Sequence, residues 1–135
     1  MKWIFLLLIS SLCATELKIG TTVLNVEIAN TEPARSKGLS GRSELKEGTG
    51  MLFVFDKPNI WTFWMKDTKI PLSIGFFNSN KKLLQSTDMP PNIAGAESEK
   101  FYRSPKETKY ALEVPMGWFK KNKIRDGEHF HLIDE

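Results

Sequence analysis

Cysteine occurs once in this chain, at Cys13, and histidine only at His129 and His131. One thiol in the N-terminal stretch leaves the rest of the chain without a disulfide framework and without a cysteine nucleophile. A Gly-rich phosphate loop and a Gly-x-Ser-x-Gly elbow are missing too, so no complete catalytic motif is legible. An excess of one charge is also lacking: the formal net charge is +3, and the lysines are scattered. Their densest cluster, Lys120, Lys121 and Lys123, reads as a solvated helix end rather than a nucleic-acid footprint. His129 and His131 share one face of an expected strand, a spacing that metals use, but Glu128 or Asp134 would have to bend in as a third ligand. No metal site and no cofactor are expected. The apolar stretch Trp3–Leu12 has ten residues, against the roughly 20 that span a bilayer.

That stretch follows Lys2 and precedes small residues, which is the layout of a secretory signal peptide. The sequence predicts a cleaved leader over residues 1–14, with the cut after Cys13 or Ala14, and a single β-rich domain over residues 15–135. A membrane anchor is the alternative. A lipid anchor on Cys13 is disfavoured because Leu12 stands where a small residue is wanted. A domain whose one cysteine leaves with the leader suits export to a periplasmic or extracellular location. The expected partner is a small-molecule or envelope ligand, with no nucleic acid, no membrane span after cleavage, and a monomeric state.

The chain's 135 residues suffice for one domain, which at this size buries roughly two-thirds of its unfolded surface. Gly50–Phe55 is apolar on both faces, the mark of a central, covered strand. From Trp61 onward the pattern alternates. Trp61, Phe63 and Met65 form a core face; Thr62, Trp64 and Lys66 point the other way, setting an indole beside an ammonium and a hydroxyl. Leu17 and Ile19 make a short strand before the Gly20-Thr21 turn, and Val23–Ala29 makes a second with Leu24, Val26 and Ile28 on one face. Asn30-Thr31 offers a helix N-cap, Pro33 fits the first turn and Gly38 ends the helix.

Further strands are expected at Ile70–Phe77, after the Asn78-Ser79-Asn80 turn over Lys81–Thr87, at Thr108–Val114, and after Asp126-Gly127 over Glu128–Ile133. In the strand at 108–114, Tyr110, Leu112 and Val114 are predicted inward and Ala111 and Glu113 outward. Asp88–Pro105 reads as a long loop, pinned by Phe101-Tyr102, and Pro115–Asn122 as a short helix bearing Trp118 and Phe119. These elements predict a mainly β (α+β) fold, a compact β-barrel or sandwich-like single domain with one or two short helices.

Arg35-Ser-Lys-Gly38-Leu39, Gly50-Met-Leu-Phe53, Phe63-Trp-Met-Lys66-Asp-Thr68, Ile70-Pro-Leu72, Leu112-Glu113 and Asp126-Gly127 follow one another in order. This succession, over nearly the whole expected domain, resembles the domain of unknown function 192 family, small bacterial and archaeal proteins often exported. The resemblance implies a compact β-rich domain and carries no settled biochemical activity. The sequence departs from the family pattern at three places: Asp67 stands where Asn is usual, Ser73 where Asp is usual, and Leu39-Ser40 where Leu-Met is usual. Ser73 can hydrogen-bond but cannot act as a carboxylate base.

The candidate ligand-binding residues are Trp64, Lys66, Asp67 and Thr68, with Arg35, Arg42 and Glu113. The ammonium of Lys66 would fix a ligand and the indole of Trp64 would stack on it. The same residues would equally make a plain turn, with the Lys66 stem laid over Trp64. An Arg fork at Arg35 or Arg42 suits an anion, or pairs with Glu44 or Glu113. The first functional expectation is a ligand-binding or accessory module of the cell envelope. The second is an envelope-acting hydrolase or lyase with Asp67 or Glu113 as acid/base and Lys66 stabilising charge. The third is an assembly protein presenting Trp118-Phe119. A binding module predicts an open groove with Trp64 exposed, whereas an enzyme predicts Lys66, Asp67 and Glu113 within hydrogen-bond reach of one another.

Overall fold

A computed structural model of the chain describes residues 14–92 and 100–133. The expected leader lies outside this range except for Ala14, which opens the first strand. β1 (Ala14–Ile19) and β2 (Thr22–Ala29) form the predicted hairpin, turned at Gly20, where a φ of 59° suits a residue without Cβ. Leu17, Ile19, Leu24 and Val26 alternate into the interior with the period of two that extended chain imposes. Thr31 then caps α1 (Glu32–Lys37), its hydroxyl accepting a hydrogen bond from the Ala34 amide at 3.3 Å, with Pro33 in the first turn and Gly38 ending the helix. This crossover lets β3 (Thr49–Asn59) return parallel to β2.

The remaining strands are β4 (Thr62–Trp64), β5 (Leu72–Phe77), β6 (Leu83–Met89), β7 (Phe101–Arg103), β8 (Thr108–Pro115) and β9 (Phe130–Leu132). A short helix, α2 (Trp118–Lys121), precedes β9. Seven strands form one sheet in the order β6-β5-β8-β3-β2-β1-β9, with β3 at its middle, as the doubly apolar Gly50–Phe55 run requires. The sheet curls until its edges meet. Lys82 bridges His129, and the Leu83 amide donates to the Glu128 carbonyl at 2.8 Å.

Two apolar layers result, one on each side of the sheet. Leu24, Leu52, Phe77, Leu112, Val114 and Phe130 fill the enclosed interior. Met51, Phe53, Ile74, Phe76 and Ala111 lie on the opposite side, under Leu39, Met65 and Ile70. Each fully buried Leu- or Phe-sized side chain contributes about 1.5–3 kcal/mol. β3 and β8 are thus covered on both faces.

Three expectations are corrected here. Ala111 and Glu113 do point away from Leu112, but both are buried, because the second layer covers that face of β8. Trp118 and Phe119 offer no assembly surface, since α2 drives both into the interior and each is only 4% exposed. The Phe119 ring fills the space over Gly75, where an added Cβ would lie 2.5 Å from Cζ. Finally, Asp88–Pro105 is not one loop: β6 continues to Met89, and β7 pairs antiparallel with β4, while residues 93–99 lie outside the described range.

Candidate ligand-binding cleft

β4 and β7 form a small second sheet, and β4, with α1 and the turn after β4, walls a cleft over the outer face of β3 and β8. Trp61 anchors that wall. Its indole Nε1 donates to the Thr108 carbonyl at 2.8 Å, its amide donates to Ser104 Oγ at 2.9 Å, and its ring stacks on Phe55 at 4.1 Å. Phe63 meets Phe53 edge-on at 5.3 Å, so aromatic side chains cover much of the cleft's depth. The cleft encloses about 650 Å³, within the size range of small-molecule sites.

At the mouth, alternation along β4 leaves Trp64 exposed while Phe63 turns under. Phe101, directly opposite in the β4–β7 register, stacks on Trp64 with centroids 5.7 Å apart and planes 24° apart. The Lys66 ammonium sits 5.0 Å from the centre of the Trp64 ring. Asp67 follows in the left-handed region, at φ 55°, a conformation that Asp and Asn tolerate better than most residues. The Asn that the resemblance leads one to expect here tolerates the same conformation. The Asp67 carbonyl accepts from the Gly41 amide at 2.9 Å, tying the turn to the segment after α1. Thr68 is buried and donates its hydroxyl to the Lys66 carbonyl, so its contribution is to shape the turn.

Arg35 also lines the cleft, but its fork is engaged. Nη1 donates to the Val54 carbonyl at 2.9 Å, just beyond the last β2–β3 pair, and Nη2 lies 3.8 Å from Asp56. The guanidinium lies 5.5 Å from the centre of the Phe55 ring and so pins α1 to β3. Arg42 is corrected out of this site. It makes a two-pronged pair with Glu27, on another part of the surface. Neither Glu44 nor Glu113 is its partner, because the parallel crossover brings Glu27 to it instead.

Glu113 ends at the floor. It stands on β8 between Met51 of β3 and Ile74 of β5, is 6% exposed, and has no hydrogen-bond or ion-pair partner among the described residues. What exposure it keeps is through the cleft that it lines. Burial in apolar surroundings pushes its carboxyl up to about 8, so at neutral pH it holds its proton. Among the described residues, no hydrogen bond joins Glu113 to Lys66 or Asp67.

Ser73, another of the three departures from the family pattern, lies outside the cleft. Its hydroxyl donates to Asp88 directly across the β5–β6 pair at 2.7 Å and accepts from the Gly117 amide at 2.9 Å. Asp88 thus sets a carboxylate directly across the strand pair from Ser73. Sequence reasoning missed Phe101 as the platform partner of Trp64, and it assigned Phe55 only to the covered central strand. The Phe101-Tyr102-Arg103 triplet alternates too briefly to identify its partner strand.

The family model DUF192, described as an uncharacterized ACR, matches residues 15–132. Two solved structures are similar. One is a candidate transcription regulator from Sinorhizobium meliloti 1021, with 26% identity, a TM-score of 0.81, and 90% of this chain and 95% of that chain covered. The other is a protein of unknown function from Novosphingobium aromaticivorans DSM 12444, with 28% identity, a TM-score of 0.81, and 91% and 88% covered. Comparison with curated proteins finds no match.

Proposed function

We propose, from the premise that the chain belongs to the DUF192 family, that it is a ligand-binding module that takes a small ring-bearing ligand in this cleft. One observation carries the reading: an exposed Trp64 borders an open cleft lined by Phe53, Phe55, Trp61 and Phe63, whose floor holds the Glu113 carboxyl, unpartnered among the described residues. Aromatic walls with a few convergent polar groups are the usual composition of small-molecule sites. The aromatic lining of Phe53, Phe55, Trp61, Phe63 and Trp64 supplies surface for a ring, Lys66 a cation at the rim, and Glu113 a polar contact at depth. With the leader read as a signal peptide, the ligand is met outside the cytoplasm, in the periplasm or beyond, and belongs to the envelope or passes through it.

A hydrolase or lyase is the second reading, and the protonated state of Glu113 favours it, since a carboxyl in an apolar pocket can serve as a general acid. Against it stands the lack of any hydrogen bond from Glu113 to Lys66 or Asp67 among the described residues. A thermal-shift screen of envelope-derived fragments tests the binding reading. A ligand of the cleft raises the melting temperature of the wild type, and Trp64→Ala loses that gain. Stabilisation that survives unchanged in Trp64→Ala would place the ligand elsewhere and sink the reading.

A further inference from the structure

Glu113 is the buried carboxyl that lines the cleft. A carboxylate buried without a counter-ion is costly, and the group avoids the cost by staying protonated. In that form it offers one O–H donor and one carbonyl acceptor. The charged groups that share the cleft come from three places. α1 contributes Glu32, Arg35 and Lys37; β3 contributes Asp56 and Lys57; and the turn after β4 contributes Lys66 and Asp67. None of them makes an ion pair with Glu113 among the described residues. Arg35 is already held by Val54 and Asp56.

Both signs of ligand charge are disfavoured at depth. A cation would enter a cleft where Lys66 and Arg35 already occupy the aromatic faces of Trp64 and Phe55. An anion would give up hydration beside the Glu113 carboxyl among Phe53, Phe63 and Met65, while the Arg35 guanidinium is already engaged by Val54 and Asp56. An uncharged group that both accepts and donates, such as an amide, matches a protonated carboxyl directly.

We propose that Glu113 selects an uncharged, amide- or hydroxyl-bearing ring ligand by donating its carboxyl proton as a hydrogen bond to a ligand oxygen at the floor of the cleft. This rests on the reading of the cleft as a ligand site and specifies what that site takes. No bond to carbon is made or broken, and the proton stays shared between Glu113 and the ligand oxygen. Because the donor is the protonated carboxyl, affinity for such a ligand falls as the pH rises through the carboxyl's own ionisation near 8.

Benzamide, benzoate and benzamidine share one shape and carry charges of zero, minus one and plus one, so together they separate charge from fit. Binding to the protein is followed at pH 6.5 by ligand-observed NMR and by tryptophan fluorescence, with Trp64→Ala as the site control. The expected result is benzamide bound about tenfold more tightly than either charged analogue, the scale of one hydrogen bond to a well-placed partner. It should weaken by a similar factor between pH 6.5 and 9.5. Glu113→Gln, which keeps an uncharged donor, should retain benzamide to within about threefold and lose the pH dependence, while Glu113→Leu should lose the preference. Tighter binding of benzamidine or benzoate, or a pH dependence that persists in Glu113→Gln, would overturn the charge-class proposal and leave the cleft reading standing. If no probe gives a signal that depends on Trp64, the cleft reading falls, and this proposal with it.

Discussion

On the inner face of β8, Leu112 and Val114 are packed into the enclosed interior; on the outer face, two residues along from Ala111, stands Glu113, a carboxyl without a partner among the described residues. The two faces are almost equally buried. They differ in what covers them. The curled sheet and α2 close the inner layer, whereas the outer layer is roofed by short pieces: β4, β7, α1 and the turns between them. Short roofing elements leave an opening, and an acid at the bottom of that opening can meet a ligand. Burial of the same depth thus closes one side of the strand into a core and, on the other side, leaves a carboxyl facing a cleft.

Four substitutions test that division. The largest effect is expected inside: Phe77→Ala, at a fully buried position, should cost about 3–5 kcal/mol in denaturant unfolding. Next comes Glu113→Gln, with the opposite sign. The folded carboxyl sits near 8 against an ordinary 4.5, so its share of stability is fully present below about 4.5 and is lost as the pH rises toward 8. By pH 7 the native state should have lost on the order of 3 kcal/mol through this group. Glu113→Gln should therefore melt higher than wild type at pH 7, with the gap closing as the pH approaches 4.5. Equal melting temperatures at both pH values would show that the carboxyl is solvated and the floor is not dry.

Arg42→Ala breaks the two-pronged pair with Glu27 at the surface and should cost about 1 kcal/mol. Because Arg42 belongs to neither layer's opening, a change in ligand response at the cleft would contradict its placement. Smallest of all, Lys66→Ala should move the unfolding free energy by no more than about 0.5 kcal/mol, since the ammonium only caps an exposed ring. A loss of several kcal/mol would make Lys66 part of the roof's structure and not of its recognition surface.

Much of this arrangement was legible in the sequence. The doubly apolar Gly50–Phe55 run marked the middle of the sheet, Thr31, Pro33 and Gly38 marked both ends of α1, and alternation from Trp61 to Lys66 separated the exposed indole from the core. These signals are local, because side-chain direction in a strand and hydrogen bonding at a helix end depend on neighbours a few residues away. What escaped was long-range. The partner of Arg42 lies 15 residues back across a parallel crossover, and the platform partner of Trp64 lies in a three-residue strand with too short a pattern to read. Trp118 and Phe119 looked like surface because a four-residue helix has no periodicity from which to judge which face is buried.

The order of the residues by itself determined the class of the fold, the family and the side on which each strand residue would lie, since those follow from periodicity and from motifs read along the chain. Only the tertiary structure decided that the second side of β8 is covered and that Glu113 is stranded there. Burial depends on what packs over a group, and what packs over Glu113 comes from parts of the chain distant in sequence.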